Sequence, residues 1–161
     1  MDTLLNSLHA KFPTLNFQPG TTFSWSPASK QVIYKESADA SDEVAGWSLL
    51  HEAGHALLDH NIYDTDFDLL LMEVSAWDKA VQLAKKFKIT IDENHIQDCL
   101  DTYRDWLYQR STCPQCTNCS LQTDSRTYKC FNCGGTWQVS KSRMCRPYRR
   151  KADSKQLTVK S

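Results

Sequence analysis

The sequence predicts an α+β protein in which a β-hairpin and three to four helices form one small domain, followed by a cysteine-rich module and a basic tail. Two runs rich in β-branched and aromatic residues flank a short polar connection near the N-terminus. Three longer stretches carry apolar residues at the spacing of an amphipathic helix. From Cys113 the composition changes to Cys, Ser, Thr and Gly, which marks a boundary between modules.

The N-terminal elements are predicted from breakers and β-rich runs. A first helix is expected over residues 2–11, ending before Pro13. Pro19-Gly20 is a turn signal. The runs 21–25 and 31–35 predict an antiparallel hairpin.

Three further helices are predicted, each with a start signal of its own. Their expected ranges are Ser41 to about Asp59, Thr65 or Asp66 to Phe87, and Thr90 to about Arg110. Ser41 is the candidate N-cap of the first of these. Thr90 and Glu93 have the spacing of a capping box for the last.

Length and charge predict three segments. A chain of 161 residues is long enough for one modest core and a small appendage, so we expect domains at 1–112 and 113–140 and a basic, disordered tail at 141–161. Residues 1–112 carry 9 Lys and Arg against 17 Asp and Glu, a net charge of −8, whereas residues 113–161 carry 10 against 2, a net charge of +8. This separation predicts a tail that binds an anionic partner or the acidic domain of its own chain.

Cysteine usage and hydropathy indicate a cytoplasmic protein without a membrane partner. The first residues have neither the basic nor the apolar region of a signal peptide, and no apolar run approaches the roughly 18 residues of a membrane span. The seven cysteines are odd in number and clustered as CxxC pairs, which favours metal ligation in a reducing compartment over a disulfide framework.

The segment His51-Glu52-Ala53-Gly54-His55 lies inside a predicted helix. Histidines at i and i+4 share one face, so both imidazoles can reach one zinc ion, while Glu52 beside them can exchange a proton with water without ligating the metal. Gly54 is a poor helix former and indicates that another backbone approaches closely there.

A third protein ligand is needed to complete such a zinc site. His60 is out of register, because the position that metzincins use for their third histidine is Asn61, and no glycine between them turns the chain. We expect His60 to be exposed or to cap the helix. Glu73, on the next helix among apolar neighbours, is the favoured ligand and would complete a His₂Glu set.

The stretch from His51 to His60, HEAGHALLDH, followed by Glu73-x-x-Ala76, resembles the ImmA/IrrE type of gluzincin peptidase over roughly residues 20–85. The resemblance implies a zincin-like fold, zinc bound by the two histidines and Glu73, Glu52 as the base, and cleavage of regulatory DNA-binding proteins. Trp77 stands where that family has Asn. A ribbon after a short HExxH domain also resembles SprT-like proteases, which use a third His.

The chemistry expected from these residues is metal-assisted hydrolysis of a peptide bond, with Glu52 as the proton acceptor and donor. A group that stabilises the developing oxyanion is also expected. The candidates are Tyr63, His60, Tyr103 and Arg104.

Two CxxC pairs, separated by 13 residues, predict a zinc ribbon with a closed, structural zinc. The predicted ligands are Cys113, Cys116, Cys130 and Cys133. A competing pair, Cys116-x-x-Cys119, remains an alternative. Cys99 is expected to be a buried helix residue and Cys145 a free thiol.

The leading functional prediction is therefore a zinc metallopeptidase with one catalytic and one structural Zn²⁺, acting on a nucleic-acid-associated or regulatory protein. The alternative is a non-catalytic zinc-ribbon module that binds nucleic acid or protein and carries a degenerate peptidase domain. The basic residues that would contact nucleic acid are Lys141, Arg143, Arg146, Arg149, Arg150 and Lys151.

Overall fold

The computed structural model describes residues 2–36 and 42–141, and residues 150–151 as backbone only. It confirms an α+β protein with four helices, small sheets and a cysteine cluster towards the C-terminus. The chain forms two compact units, Met1–Ile62 with Leu71–Leu100, and Tyr63–Leu70 with Asp101–Ser161. The division at residue 113 that composition indicates stays a prediction.

The first unit contains a three-stranded sheet in the order β1-β3-β2. Its strands are β1 (Asn16–Gly20), β2 (Ser24–Ser26) and β3 (Gln31–Lys35). The predicted hairpin is present, since β2 and β3 are antiparallel. The turn predicted at Pro19-Gly20 is wrong, because both residues lie in β1, which pairs in parallel with β3. Pro19 is tolerated there since β1 is an edge strand.

Four helices follow the predicted ranges closely. They are α1 (Asp2–Lys11), α2 (Glu43–Leu57), α3 (Asp66–Phe87) and α4 (Glu93–Ser111). The N-cap of α2 is Asp42, whose carboxylate accepts a hydrogen bond from the N–H of Ala45 at 3.1 Å; Ser41 lies outside the described residues. The predicted capping box at Thr90 is corrected as well. The N-cap of α4 is Asp92, whose carboxylate accepts a hydrogen bond from the N–H of Asn94 at 3.0 Å.

The core of the first unit forms where α2 packs on β2 and β3. Apolar residues from α1, the sheet, α2, α3 and α4 meet in this core, and these are Leu8, Phe17, Val32, Leu49, Leu50, Ala53, Trp77, Ala80, Leu83, Ala84, Ile96 and Leu100. Because α2 supplies both this core and His51 and His55, its packing fixes the direction in which the two imidazoles point.

The second unit contains an antiparallel sheet in the order β4-β5-β6. Its strands are β4 (Thr127–Lys129), β5 (Thr136–Gln138) and β6 (Arg150–Lys151). Tyr128 lies opposite Trp137, and the two rings stack 5.4 Å apart. Together with Cys113, Cys130 and Val139 they form a core of five buried side chains. A module with so few apolar residues needs further support.

A buried ion pair supplies part of that support. The Arg110 guanidinium donates to both carboxylate oxygens of Asp66, at 2.6 and 3.1 Å, and to the carbonyl of Ser140 at 2.8 Å. The Tyr128 hydroxyl donates to the same carboxylate at 2.7 Å, and the Trp137 indole donates to the Arg110 carbonyl at 2.8 Å. Both charges are therefore satisfied by hydrogen bonds away from water, which is the condition for burying them.

The basic, disordered tail at 141–161 stays a prediction. Within that range, residues 150 and 151 form β6. The remainder of 142–161, with the expected contacts Arg143, Arg146 and Arg149, lies outside the described residues. Within the described part of the chain, no helix has the length and apolar character needed to cross a membrane.

Candidate functional site

The first candidate site begins with the two histidines on α2. His51 and His55 are 8% and 7% exposed, and they are one helical turn apart, as their spacing predicts. Their Nε2 atoms point at one another and lie 3.1 Å apart. The Trp77 ring lies 4.2 Å from the His51 ring and covers it. The sequence pattern did not indicate the contact between Trp77 and His51, although Trp77 lies one helical turn after Glu73.

Glu73 of α3 meets both histidines. Its Oε2 atom lies 3.2 Å from His51 Nε2 and 3.5 Å from His55 Nε2, and the side chain is buried. In a tetrahedral zinc site with bonds of about 2.0–2.1 Å, neighbouring ligand atoms are about 3.3–3.4 Å apart. The three observed separations bracket that value, so the residues fit a divalent transition metal such as zinc.

A close helix contact sets the distance between the histidines and Glu73. A Cβ atom added to Gly54 would lie 2.6 Å from the carbonyl oxygen of Ala76, one turn after Glu73. Only glycine allows α2 and α3 to approach this closely, as the presence of Gly54 in the middle of a helix predicted. The contact is between backbones, so the ligand geometry depends on helix packing rather than on side-chain rotamers.

Electrostatics separates the roles of the two glutamates. Burial by itself would raise the pKa of Glu73, but the two imidazoles, whose Nε2 atoms lie within 3.5 Å of its carboxylate, outweigh burial and lower that pKa to about 2. Glu73 is therefore a carboxylate anion at neutral pH. Burial raises the pKa of Glu52 above its ordinary 4.5, with partial offsets from the histidines and from the backbone N–H of Trp25.

Glu52 stands beside the cluster without belonging to it. The group of possible ligand atoms within 4.8 Å of one another contains His51, His55 and Glu73 but not Glu52. A carboxylate next to a candidate metal site, with a raised pKa and outside the possible ligand set, is suited to accept and return a proton.

His60 caps the end of α2, one of the two positions expected for it, and is half-buried rather than exposed. The N–H groups of Asp59 and His60 donate to the carbonyls of Ala56 and His55 in a Schellman motif. Asp59 takes the left-handed conformation of that motif, with φ of 50°. This turn directs the half-buried His60 ring back towards His55, and their Nδ1 atoms lie 2.8 Å apart.

His60 is also held by β2, and its surroundings disfavour its charged form. The Trp25 indole donates to its carbonyl at 2.6 Å. Burial, and next the nearby His55, lower the pKa of His60 below its usual 6.5. Of the four candidates for oxyanion stabilisation, His60 alone is in the same compact unit as the His₂Glu cluster. Tyr63, Tyr103 and Arg104 belong to the second unit.

The second candidate site is formed by the four predicted cysteines. Cys113 and Cys133 have sulfur atoms 3.6 Å apart, and those of Cys116 and Cys130 are 3.4 Å apart. A disulfide requires about 2.05 Å, whereas thiolates around a tetrahedral zinc with bonds of about 2.3 Å lie about 3.8 Å apart. The set therefore fits a closed four-sulfur metal site, which is buried on the Cys113 and Cys130 side.

The two CxxC turns have the same backbone geometry. The N–H of Thr117 donates to the Cys113 carbonyl at 3.0 Å, and the N–H of Gly134 donates to the Cys130 carbonyl at 3.1 Å. Thr117 and Gly134 both have positive φ, 61° and 71°. The N–H of Cys133 also donates to Cys130 Sγ, and this hydrogen bond is the main cause that lowers the pKa of the Cys130 thiol to about 6.

The other described cysteines, Cys99 and Cys119, take no part in this set. Cys119 is exposed and its sulfur lies 3.9 Å from Thr112 Oγ1, so the alternative pair Cys116-x-x-Cys119 is not the one brought together. Cys99 is half-buried on α4, with its sulfur 3.6 Å from His95 Nε2. Cys145 lies outside the described residues.

Sequence reasoning missed the partners of two polar residues. Arg110 was expected only near the end of a helix, but it is buried against Asp66; the only signal was its place next to the cysteine module. The contact of His60 with His55 depends on the left-handed conformation of residue 59, and an aspartate at that position does not by itself predict it.

No family model, curated protein or solved structure matches this chain.

Proposed function

We propose that the chain is a zinc-dependent peptidase that hydrolyses peptide bonds of a protein substrate. The observation that carries the proposal is the meeting of His51, His55 and Glu73 around one point, with Glu52 beside them and outside the ligand set. A site that served only to hold a metal would have no need of a proton-accepting carboxylate next to it.

The ligand residues and the base divide the chemistry between them. Zinc held by the two Nε2 atoms and Glu73 Oε2 would act as a Lewis acid on the scissile carbonyl and on the attacking water. Glu52 accepts the proton that the water gives up as its oxygen bonds to the carbonyl carbon. Glu52 then returns that proton to the amine nitrogen as the carbon–nitrogen bond breaks. The raised pKa of Glu52 suits both transfers.

We also propose that the four cysteines hold a second, structural zinc. Four thiolates leave no open position for water or substrate, so this ion would stabilise the second unit rather than take part in catalysis. The clustering of cysteines as CxxC pairs also fits metal ligation in a reducing compartment such as the cytoplasm.

Metal content separates the two sites. Full-length protein should contain two zinc equivalents, and Glu73→Ala should lose about one of them from the histidine site. Cys130→Ser should lose the other. Retention of both ions by Glu73→Ala would show that Glu73 is not the third ligand.

Activity tests the role of Glu52. Zinc-loaded protein should cleave members of a degenerate peptide library read by mass spectrometry. Glu52→Gln should keep both zinc ions and cleave none of them, because an amide cannot accept the proton. Glu43→Gln, an exposed change on the same helix, is the matched control and should cleave normally. Absence of cleavage by the wild type would favour the non-catalytic binding module.

A nucleic-acid partner is proposed from charge. Residues 113–161 carry a net charge of +8, and the described side chains Lys129 and Lys141 are exposed. Sequence-independent phosphate contacts would hold the enzyme near substrates that are bound to nucleic acid, and each contact should add about −0.9 to the log–log salt dependence on duplex DNA. Truncation after Ser140 should weaken this binding. Higher peptidase activity of the truncated chain would instead indicate that the tail covers the acidic first part of the chain.

A further inference from the structure

A series of hydrogen bonds begins at His55 Nδ1, the ring nitrogen that does not face Glu73. His55 Nδ1 lies 2.8 Å from His60 Nδ1. On the far side of the same ring, His60 Nε2 lies 3.3 Å from Ser75 Oγ. The Ser75 hydroxyl donates in turn to the carbonyl of Met72 at 2.9 Å. Three side chains thus connect the end of α2 with a backbone carbonyl of α3.

The protons of this series are assigned from its last member. The Ser75 hydroxyl has one proton, and the shorter of its two contacts, 2.9 Å against 3.3 Å, is to the Met72 carbonyl, which can only accept, so we place the proton on that contact. Ser75 Oγ therefore accepts from His60 Nε2, which must carry a proton. A neutral His60 then has a bare Nδ1, and the facing Nδ1 of His55 has to supply the single proton between the two rings.

The consequence appears at the other nitrogen of His55. A neutral imidazole protonated at Nδ1 has its lone pair on Nε2. That Nε2 atom lies 3.1 Å from His51 Nε2 and 3.5 Å from Glu73 Oε2, facing the proposed metal position. The opposite tautomer would direct a proton into the cluster and prevent ligation.

We infer that His60 is a positioning residue that sets the ligating tautomer of His55, through a relay that ends at the Met72 carbonyl. The inference rests on the metal site of the proposed function. The third histidine of this segment, His60, would then position the ligand His55 without binding the metal itself. His51 has no equivalent support among the described residues, since its buried Nδ1 has no hydrogen-bond partner there.

The backbone holds His60 in place for this role. Its N–H donates to the carbonyl of His55 at 3.1 Å, and its own carbonyl accepts from the Trp25 indole at 2.6 Å. Substitution of the side chain leaves both backbone bonds available, so a variant at this position can change the relay while the helix end is kept.

Zinc affinity of the full-length chain, measured by chelator competition, tests the inference. The cysteine site serves as the internal reference in every variant. His60→Phe keeps a planar ring but accepts no hydrogen bond, and it should weaken zinc binding at the histidine site by about 10–100-fold. His60→Gln offers an amide oxygen to His55 Nδ1–H and should recover most of that loss. Equal affinities for wild type and His60→Phe, or no recovery with Gln, would overturn the inference.

A spectroscopic measurement reads the tautomers directly. Two-bond ¹H–¹⁵N correlations of the zinc-loaded protein should show His55 protonated at Nδ1, and His60 protonated at Nε2 only. A proton on His60 Nδ1 would contradict the relay. His55→Ala separates the two proposals. If it keeps both zinc ions, the metal site itself is wrong; if it loses one while His60→Phe binds normally, only the relay is wrong.

Discussion

A single methyl group at position 54 tests how closely α2 and α3 have to approach. A Cβ atom on that residue would lie 2.6 Å from the Ala76 carbonyl oxygen and 3.4 Å from Lys79 Cβ. The nearer atom belongs to the backbone, so it cannot rotate away. Gly54→Ala therefore forces the two helices apart at the level of the candidate metal site.

The size of the effect follows from two opposing terms. Restoring an ordinary contact requires a shift of roughly 0.4–0.8 Å, because real Cβ contacts begin at about 3.0–3.4 Å. Alanine stabilises a helix interior by about 0.8–1.0 kcal/mol relative to glycine, whereas overpacking costs about 1–3 kcal/mol. We expect a net loss of about 0–2 kcal/mol in the free energy of unfolding. Zinc affinity should also fall, because Glu73 moves with α3.

Urea unfolding with chelator present, together with zinc titration, measures both effects. Gly46→Ala is the matched control, because it lies in the same helix and its added Cβ would meet only Leu4 Cδ2, at 3.7 Å. The control should gain most of the helix term, about 0.8–1.0 kcal/mol, and leave zinc binding unchanged. The reasoning would be refuted if Gly54→Ala gained as much stability as Gly46→Ala and bound zinc equally well.

Three more changes test other parts of the structure. Asp59→Gly should stabilise the first unit by about 1 kcal/mol in urea unfolding, because φ is 50° there and glycine adopts that conformation without strain; a loss of stability would contradict this. Asp66→Ala should cost about 3–5 kcal/mol, since Arg110 would be left buried and unpaired, whereas the double variant Asp66→Leu/Arg110→Met should lose less; equal losses would show that burial of the charge is not the cause. Burial and the Asp66 carboxylate raise the pKa of Tyr128 above 10.0. The protonated hydroxyl therefore contributes fully to the free energy of unfolding below pH 10, and this contribution falls as the pH rises further. Tyr128→Phe should make unfolding less sensitive to pH in that alkaline range, and an unchanged pH profile would exclude this contribution.

Features that depend on local geometry could be predicted from the sequence alone. The HExxH spacing places His51 and His55 on one face of any helix, and the CxxC spacing brings two thiols together within a single turn. Helices α1 and α3 begin and end at the predicted residues, because breakers and capping side chains lie next to them in the chain.

Other features depended on contacts between distant parts of the chain. Pro19 and Gly20 have the composition of a turn, but pairing with β3 makes them a strand. The start of α4 was misassigned because two polar residues, Thr90 and Asp92, compete for one capping role. Only the folded chain shows that Asp92 makes the hydrogen bond.

The sequence by itself determined which residue types could bind a metal, because ligand spacing along a helix or a turn is a property of local backbone geometry. The tertiary structure decided which distant residues join them. The distance of Glu73 from the histidines depends on the contact of Gly54 with Ala76, and the position of His60 depends on a left-handed residue at the end of α2. Both result from packing between separate elements, and that packing minimises the free energy of the whole chain rather than of any one segment.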